Sequence, residues 1–263
     1  MNRVCARHAA GFSLVEIAVV LVIIAILATA VGIPLAAQLD QQRNANTQKQ
    51  LELIKEALYG FAMANGRLPC PATATSNGTE LGTASTGVCA TYSGFVPAVT
   101  LGLAPVDANG FMVDGWASPQ SLIRYAIPTR DIAAGTPTAC TTSSAKVISR
   151  TDGIRSATMA CLADTAAEVN LLSVVSTTVN SAPNCVPSTL TSKAPFVLFS
   201  LGKNVLTGGV GADEAQNLVT TATTFVSHTP TAAGSCAGEF DDIVTWGSLN
   251  TLFARMVQAG KLP

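Results

Sequence analysis

Histidine is almost absent from this chain, with only His8 and His228 in 263 residues. Beyond the first eleven residues, imidazole catalysis would have to use His228, in a Ser227-His228-Thr229-Pro230 turn. Gly-x-Ser-x-Gly, His-Glu-x-x-His and Walker motifs are missing. Gly208-Gly209-Val210-Gly211 lacks the third glycine and the following helix pattern of a nucleotide loop. Charge is scarce at 12%, the net charge is −1, and Lys and Arg form no cluster. That excludes a broad basic surface for nucleic acid. Without a Cys-x-x-Cys pair and with so little histidine, a zinc site has no ligands of the right spacing. The absences point away from an enzyme and toward a structural or binding role.

What the chain does have is a long apolar run. From Phe12 to Leu39 the only charge is Glu16. About 20 apolar residues suffice to cross a bilayer as a helix. A carboxylate near the edge of such a span is costly and therefore a candidate functional group. Arg3, Arg7 and His8 precede the run with no acid among them, so the N-terminal side is expected to stay cytoplasmic. A secretory signal is cut after its apolar region. Here the distinctive junction, Gly11-Phe12, lies before it.

Gly11-Phe12-Ser13-Leu14-Val15-Glu16 ahead of a Val/Ile/Leu/Ala helix resembles the class III prepilin signature of type IV pilins and type II secretion pseudopilins. The resemblance implies cleavage after Gly11 by a prepilin peptidase, N-methylation of Phe12, and Glu16 as the assembly carboxylate. The terminal ammonium of Phe12 on a neighbouring subunit is the natural partner for Glu16 in hydrocarbon. It also implies other pilin or pseudopilin subunits and an inner-membrane assembly platform as partners.

Six of the seven cysteines follow the leader: Cys70, Cys89, Cys140, Cys161, Cys185 and Cys236. An even count in an exported domain reads as disulfides. Of the 15 pairings available to six cysteines, the sequential one closes the shortest loops: Cys70–Cys89, Cys140–Cys161 and Cys185–Cys236.

Leu51, Ile54, Leu58 and Phe61 recur at helical spacing, and Asn65-Gly66 with Pro69 beyond them is a helix stop. One helix is expected from about Phe12 to Ala64, with the Gly32-Ile33-Pro34 kink signal inside it. Strands are expected at Leu122–Ile127, Ala194–Leu201, Thr220–Ser227 and Asp241–Trp246. Residues 133–192 carry little signal. Ser248 is placed to cap a helix with Leu249, Leu252, Phe253, Met256 and Val257 along one stripe and Gly260 as its stop.

Three segments of the head extend the resemblance. Gly66-Arg67-Leu68-Pro69 is similar to the turn after the long helix in pseudopilins. Asp114-Gly115-Trp116-Ala117-Ser118-Pro119, with Tyr125 after it, resembles their Asp-x-Trp-Gly-x-Pro…Tyr segment, with Ala117 in place of glycine. Ser200-Leu201-Gly202-Lys203-Asn204 and Asp241-Asp242-Ile243-Val244-Thr245-Trp246 resemble their ending. The major type II pseudopilins bind calcium before that last strand. By the resemblance, Glu239, Asp241 and Asp242 would be calcium ligands here, with Asp213 and Glu214 flanking the loop. One family ligand position is unmatched, and a Cys236 disulfide could restrain the loop in place of a metal. No other cofactor is indicated.

The expected architecture is α+β and pilin-like. It comprises a leader at 1–11, a transmembrane and filament-core helix at 12–39, its amphipathic continuation at 40–66, and an exported disulfide-stabilised head at 67–263. That head is an antiparallel sheet plus a C-terminal helix. The expected role is a minor or atypical structural subunit of a type IV pilus or type II secretion pseudopilus. It would sit in the inner membrane in a single pass with its head periplasmic before assembly. Loss of Arg3 and Arg7 with the leader takes the net charge from −1 to −3. The alternatives are a membrane-anchored exported binding module that does not polymerise, and an anchored hydrolase built around His228.

Overall fold

In the computed structural model of the chain, the described residues are 13–128, 148–151, 153–156, 171–181, 185–205 and 211–262, with backbone alone at 27–36. Helix α1 runs from Leu14 to Asn65. Among the described residues no helix is long and apolar enough to cross a membrane; the side chains described in the apolar run stop at Ile26 and resume at Ala37. The chain divides into two compact units, Met1–Arg43 and Asn44–Pro263.

In the first unit the side chains from Leu14 to Ile26 are all exposed and, apart from Glu16, apolar, with little contrast around the helix. A helix apolar on every side is not built to seat one face on a water-soluble core. In the second unit the helix becomes one-sided. Thr47, Leu51, Ile54, Leu58 and Ala62 are buried, at spacings of three and four. Phe61, expected on this stripe, is only half-buried and carries the Arg67 guanidinium 5.0 Å above its ring. Tyr59 takes the core position instead.

Two sheets follow. A hairpin of β1 (Gly82–Thr83) and β2 (Val88–Cys89) leads into β3 (Ser93–Phe95) and the short helix α2 (Ala98–Leu101). Next come β4 (Arg124–Ala126), α3 (Gly153–Ser156), β5 (Leu172–Val175), β6 (Thr189–Ala194) and β7 (Val197–Ser200). The chain ends with α4 (Ala212–Asn217), β8 (Thr224–Val226), β9 (Ile243–Trp246) and α5 (Leu249–Gln258). The larger sheet is antiparallel in the order β3-β4-β7-β9, and the smaller has the order β6-β5-β8.

Strand alternation divides the core into two layers. Tyr125 and Leu198 point to the side of the larger sheet that holds Leu51, Ile54 and Leu58 of α1 and Leu252, Phe253 and Met256 of α5. Ala126, Val197 and Phe199 point the other way, onto Leu172, Val174 and Phe225 of the smaller sheet. The four-stranded sheet is therefore the middle layer.

The expected α+β class holds, with two corrections. The head is not one antiparallel sheet, because β5 and β8 pair in parallel in the smaller one. The expected strand at Ala194–Leu201 is two elements: Ala194 closes β6, the chain bends at Pro195, and β7 begins at Val197 in the other sheet. Pro195 has no amide to donate to a ladder, which suits it to the gap between two strands. A stretch buried on both faces and a sheet-to-sheet crossover both read as a continuous apolar run. In α5, Ser248 caps as expected, accepting the Thr251 amide at 3.4 Å. Val257 is exposed rather than on the core stripe.

The three family-like head segments meet in space. The Tyr125 hydroxyl donates to the Pro69 carbonyl at 3.1 Å. Asp114 accepts the Ser200 hydroxyl at 2.6 Å and the Trp116 amide at 2.9 Å. The Gly115 amide donates to Thr47 on α1 at 2.9 Å. Burial raises the Asp114 carboxyl, although these bonds pull the other way.

Candidate functional site

Two places carry the expected functional residues. The first is the N-terminal motif. Gly11 and Phe12 lie outside the described residues. Glu16 stands in the first turn of α1, the only acid there. Its side chain is exposed, as are Leu14, Val15 and Ile17 around it. A carboxylate presented on an apolar helix surface needs a partner from outside the helix whenever that surface leaves water.

The second place is the turn before β9. Glu214 on α4, Asp241 and Asp242 offer carboxylate oxygens within 4.8 Å of one another, the only such group of metal-ligand type among the described residues. Glu239 is not in it. Asp213, the other flanking acid, points elsewhere. Its Oδ1 accepts the Thr178 amide and hydroxyl, each at 2.8 Å. Its Oδ2 lies 3.4 Å from His228 Nε2.

Local structure explains the convergence. Gly202 adopts φ +66°, and a Cβ there would collide with the Asp241 carboxylate and carbonyl. That close approach lets the Lys203 and Asn204 amides donate to Asp241 Oδ2 at 3.0 and 3.2 Å. Glu214 Oε1 accepts the Asp241 amide at 2.9 Å, and the Asn204 side chain bridges both Glu214 oxygens. The Asn217 side chain donates to Asp242 Oδ2 at 2.8 Å.

The electrostatics are unfavourable to three charges. Burial, then the neighbouring Glu214, pushes Asp241 up to about 6 against the pull of the two amides. Burial pushes Asp242 up to about 8, with Glu214 and Asp241 adding to it and Asn217 and Arg124 opposing. Asp241 Oδ1 is buried and has no hydrogen-bond partner. An orphaned carboxylate oxygen beside two further carboxylates is a donor set that suits a hard cation. The residues present therefore fit calcium, with Glu214 rather than Glu239 as the third carboxylate. Sequence reasoning placed Glu214 beside the loop. Its membership depends on α4, six residues too short to announce itself by periodicity.

Two expected disulfides are formed, Cys70–Cys89 and Cys185–Cys236, with Cα atoms 5.4 and 6.2 Å apart. Cys140 and Cys161 lie outside the described residues. His228 stacks on Phe240 with centroids 3.9 Å apart, and its Nδ1 is 2.7 Å from the Thr229 carbonyl. Both ring nitrogens thus face oxygens of the protein itself.

Residues 6–32 match the family model described as the prokaryotic N-terminal methylation motif. The segment is a class III signal of the type IV pilin and pseudopilin kind. No curated protein and no solved structure matches the chain.

Proposed function

We propose that this protein is a structural subunit of a type IV pilus or a type II secretion pseudopilus, and a minor or atypical one. The methylation motif at residues 6–32 carries the reading. The position of Glu16, exposed in the first turn of α1, supports it. A prepilin peptidase cuts after Gly11 and methylates Phe12. The helix holds the subunit in the inner membrane in a single pass, supported by the uncharged stretch from Ile17 to Leu39. The head is periplasmic, and the assembly platform passes the subunit to its pilin or pseudopilin neighbours. The pilin-like arrangement is supported by a layered α+β head on the second part of α1. The size and disulfides of the head favour a minor subunit, since a large head is hard to tile densely. The role is structural, not catalytic.

The test is the intact mass and N-terminal sequence of the membrane-extracted protein with and without the peptidase. A peptidase-dependent start at N-methyl-Phe12 is expected. A Met1 start, or a cut after the apolar run, would favour the anchored binding module that never polymerises.

Calcium is proposed at Glu214, Asp241 and Asp242, on the strength of the orphaned Asp241 Oδ1. The cation would supply charge neutralisation, and the three carboxylates would hold it between α4 and β9. Calcium is expected to raise the melting temperature of the wild type and not of Glu214→Gln; equal responses would remove the site.

A further inference from the structure

Asn-Gly occurs three times in the chain, at Asn65-Gly66, Asn77-Gly78 and Asn109-Gly110. Asparagine is a thermally labile residue, and a following glycine leaves the next backbone nitrogen unshielded by a side chain. The three pairs are alike in sequence and differ in what the glycine amide does.

Gly66 follows α1, and its amide donates to the Ala62 carbonyl at 2.8 Å. The Asn65 side chain is engaged as well, donating to the Phe61 carbonyl at 3.0 Å. At the second pair in space, Gly110 closes a turn, its amide donating to the Asp107 carbonyl at 3.0 Å. Asn77 and Gly78 are instead the central residues of a turn, with φ +51° and +70°. Positive φ at both is the type I′ arrangement, for which Asn-Gly is the preferred pair. The turn bond runs from the Thr79 amide to the Ser76 carbonyl at 3.0 Å, and the Ser76 and Thr79 hydroxyls reinforce it at 2.7 and 2.6 Å. All of these bonds pass around Gly78. Among the described residues the Gly78 amide and the Asn77 side chain donate to no acceptor, and Asn77 is exposed.

We propose that Asn77 is a site of spontaneous deamidation, selected over Asn65 and Asn109 by the position of its glycine amide in the turn. The Gly78 nitrogen, losing its proton to hydroxide, attacks Asn77 Cγ. The new N–C bond closes a succinimide, and Nδ2 leaves as ammonia. Water then opens the ring at either carbonyl. The product is aspartate, or isoaspartate with the main chain rerouted through Cβ.

The surroundings make the product consequential. A Cβ on Gly78 would collide with the Gly110 carbonyl, and one on Gly110 with the Asn77 carbonyl, so the two turns meet backbone to backbone. Isoaspartate lengthens the main chain at that contact. The Gly78 carbonyl accepts the Val99 amide of α2 at 2.9 Å, and the Glu80 amide donates to Thr100 Oγ1 at 2.8 Å. The reaction therefore adds a negative charge and loosens the hold of this turn on α2, in one direction only. It marks the age of a subunit, whatever that subunit assembles into.

The test incubates the full chain in detergent micelles at pH 7 and pH 8 and maps the products by peptide mass spectrometry, with fragmentation that separates aspartate from isoaspartate. In the folded chain Asn77 is expected to convert about tenfold faster than Asn65 or Asn109, whose glycine amides must first be released by local opening. The rate at Asn77 is expected to rise about tenfold between the two pH values, because the attacking nitrogen must lose its proton. In urea the three sites are expected to react alike. In Asn77→Ser the acidic isoform seen by isoelectric focusing is expected to vanish, with circular dichroism checking the fold. An unreacted Asn77 in the folded chain, or Asn65 or Asn109 converting as fast, would overturn the proposal. So would the same preference for Asn77 in urea, since local sequence and not the turn would then set it.

Discussion

Ala117 occupies a backbone position with φ +52°, where a Cβ crowds the following carbonyl. The resembling segment in pseudopilins has glycine at this position, and the conformation supplies the physical reason. The Asp114 carbonyl accepts the Ala117 amide at 3.1 Å, which locks the turn. Ala117→Gly is expected to stabilise the head by about 1 kcal/mol or less, since glycine also gains freedom in the unfolded chain. Urea unfolding measures it, and a loss of stability would contradict the account. Asp242 makes the opposite kind of demand. Its folded carboxyl titrates near 8, far above an unfolded aspartate near 3.8. Such a group contributes stability that is full below about pH 4 and declines as pH rises through about 8. In EGTA the head is expected to lose on the order of 2–4 kcal/mol between pH 5 and pH 8.5. Asp242→Asn should flatten that slope. A slope as steep in the variant would place its source elsewhere.

Among the elements, the exit from α1 is held by one bidentate pair. Arg67 donates to both Glu80 oxygens at 2.7 and 2.8 Å, and Glu80 also accepts the Cys70 amide at 3.0 Å. Burial pushes the Glu80 carboxyl up, but the Arg67 bonds, the Cys70 amide and the Arg67 charge together bring it below its usual value. Its contribution is present above the ordinary glutamate range and lost as pH falls through the folded value, the reverse of Asp242. Glu80→Gln is expected to cost about 1.5–3 kcal/mol at pH 7, read by denaturant titration; no change would make the pair ornamental. The disulfides act on the unfolded chain instead. Closing 19 and 51 residues is worth about 3 and 4 kcal/mol in the chain-entropy picture. Serine at Cys185 and Cys236 should therefore destabilise more than serine at Cys70 and Cys89. The reverse order would show that native packing, not loop length, dominates.

At the scale of the whole molecule, the two units differ in what their surfaces require. Asn44–Pro263 has a closed two-layer core. Leu14–Ile26 in the first unit shows apolar residues on every side and one carboxylate. Glu16→Ala is expected to leave the expression and thermal stability of the subunit unchanged and to exclude it from filaments, as seen by immunogold labelling of sheared fibres. Normal incorporation would remove Glu16 from assembly. Much of this plan could be read from residues. The stripe of Leu51, Ile54 and Leu58 marks α1, Phe196 to Phe199 marks the middle layer, and Ser248 with Leu252 and Met256 marks α5. What escaped was β5, only four residues long at Leu172–Val175, and most of β6, where Thr189, Thr191, Ser192 and Lys193 put polar residues on both faces and leave periodicity little contrast to work on. The parallel pairing of β5 with β8 joins residues about fifty apart, which no local pattern encodes. The carboxylate group was legible in Asp241 and Asp242, while Glu214 arrives from a helix 27 residues earlier.

The Cys185–Cys236 bond also makes a covalent ring of the chain that contains β6, β7, α4 and β8. A protease that nicks any loop within the ring releases nothing. The severed ends stay joined through sulfur, and β7 keeps its two neighbours on either side. A subunit exposed at a cell surface could thus be cut once and still run as a single band until a reductant is added.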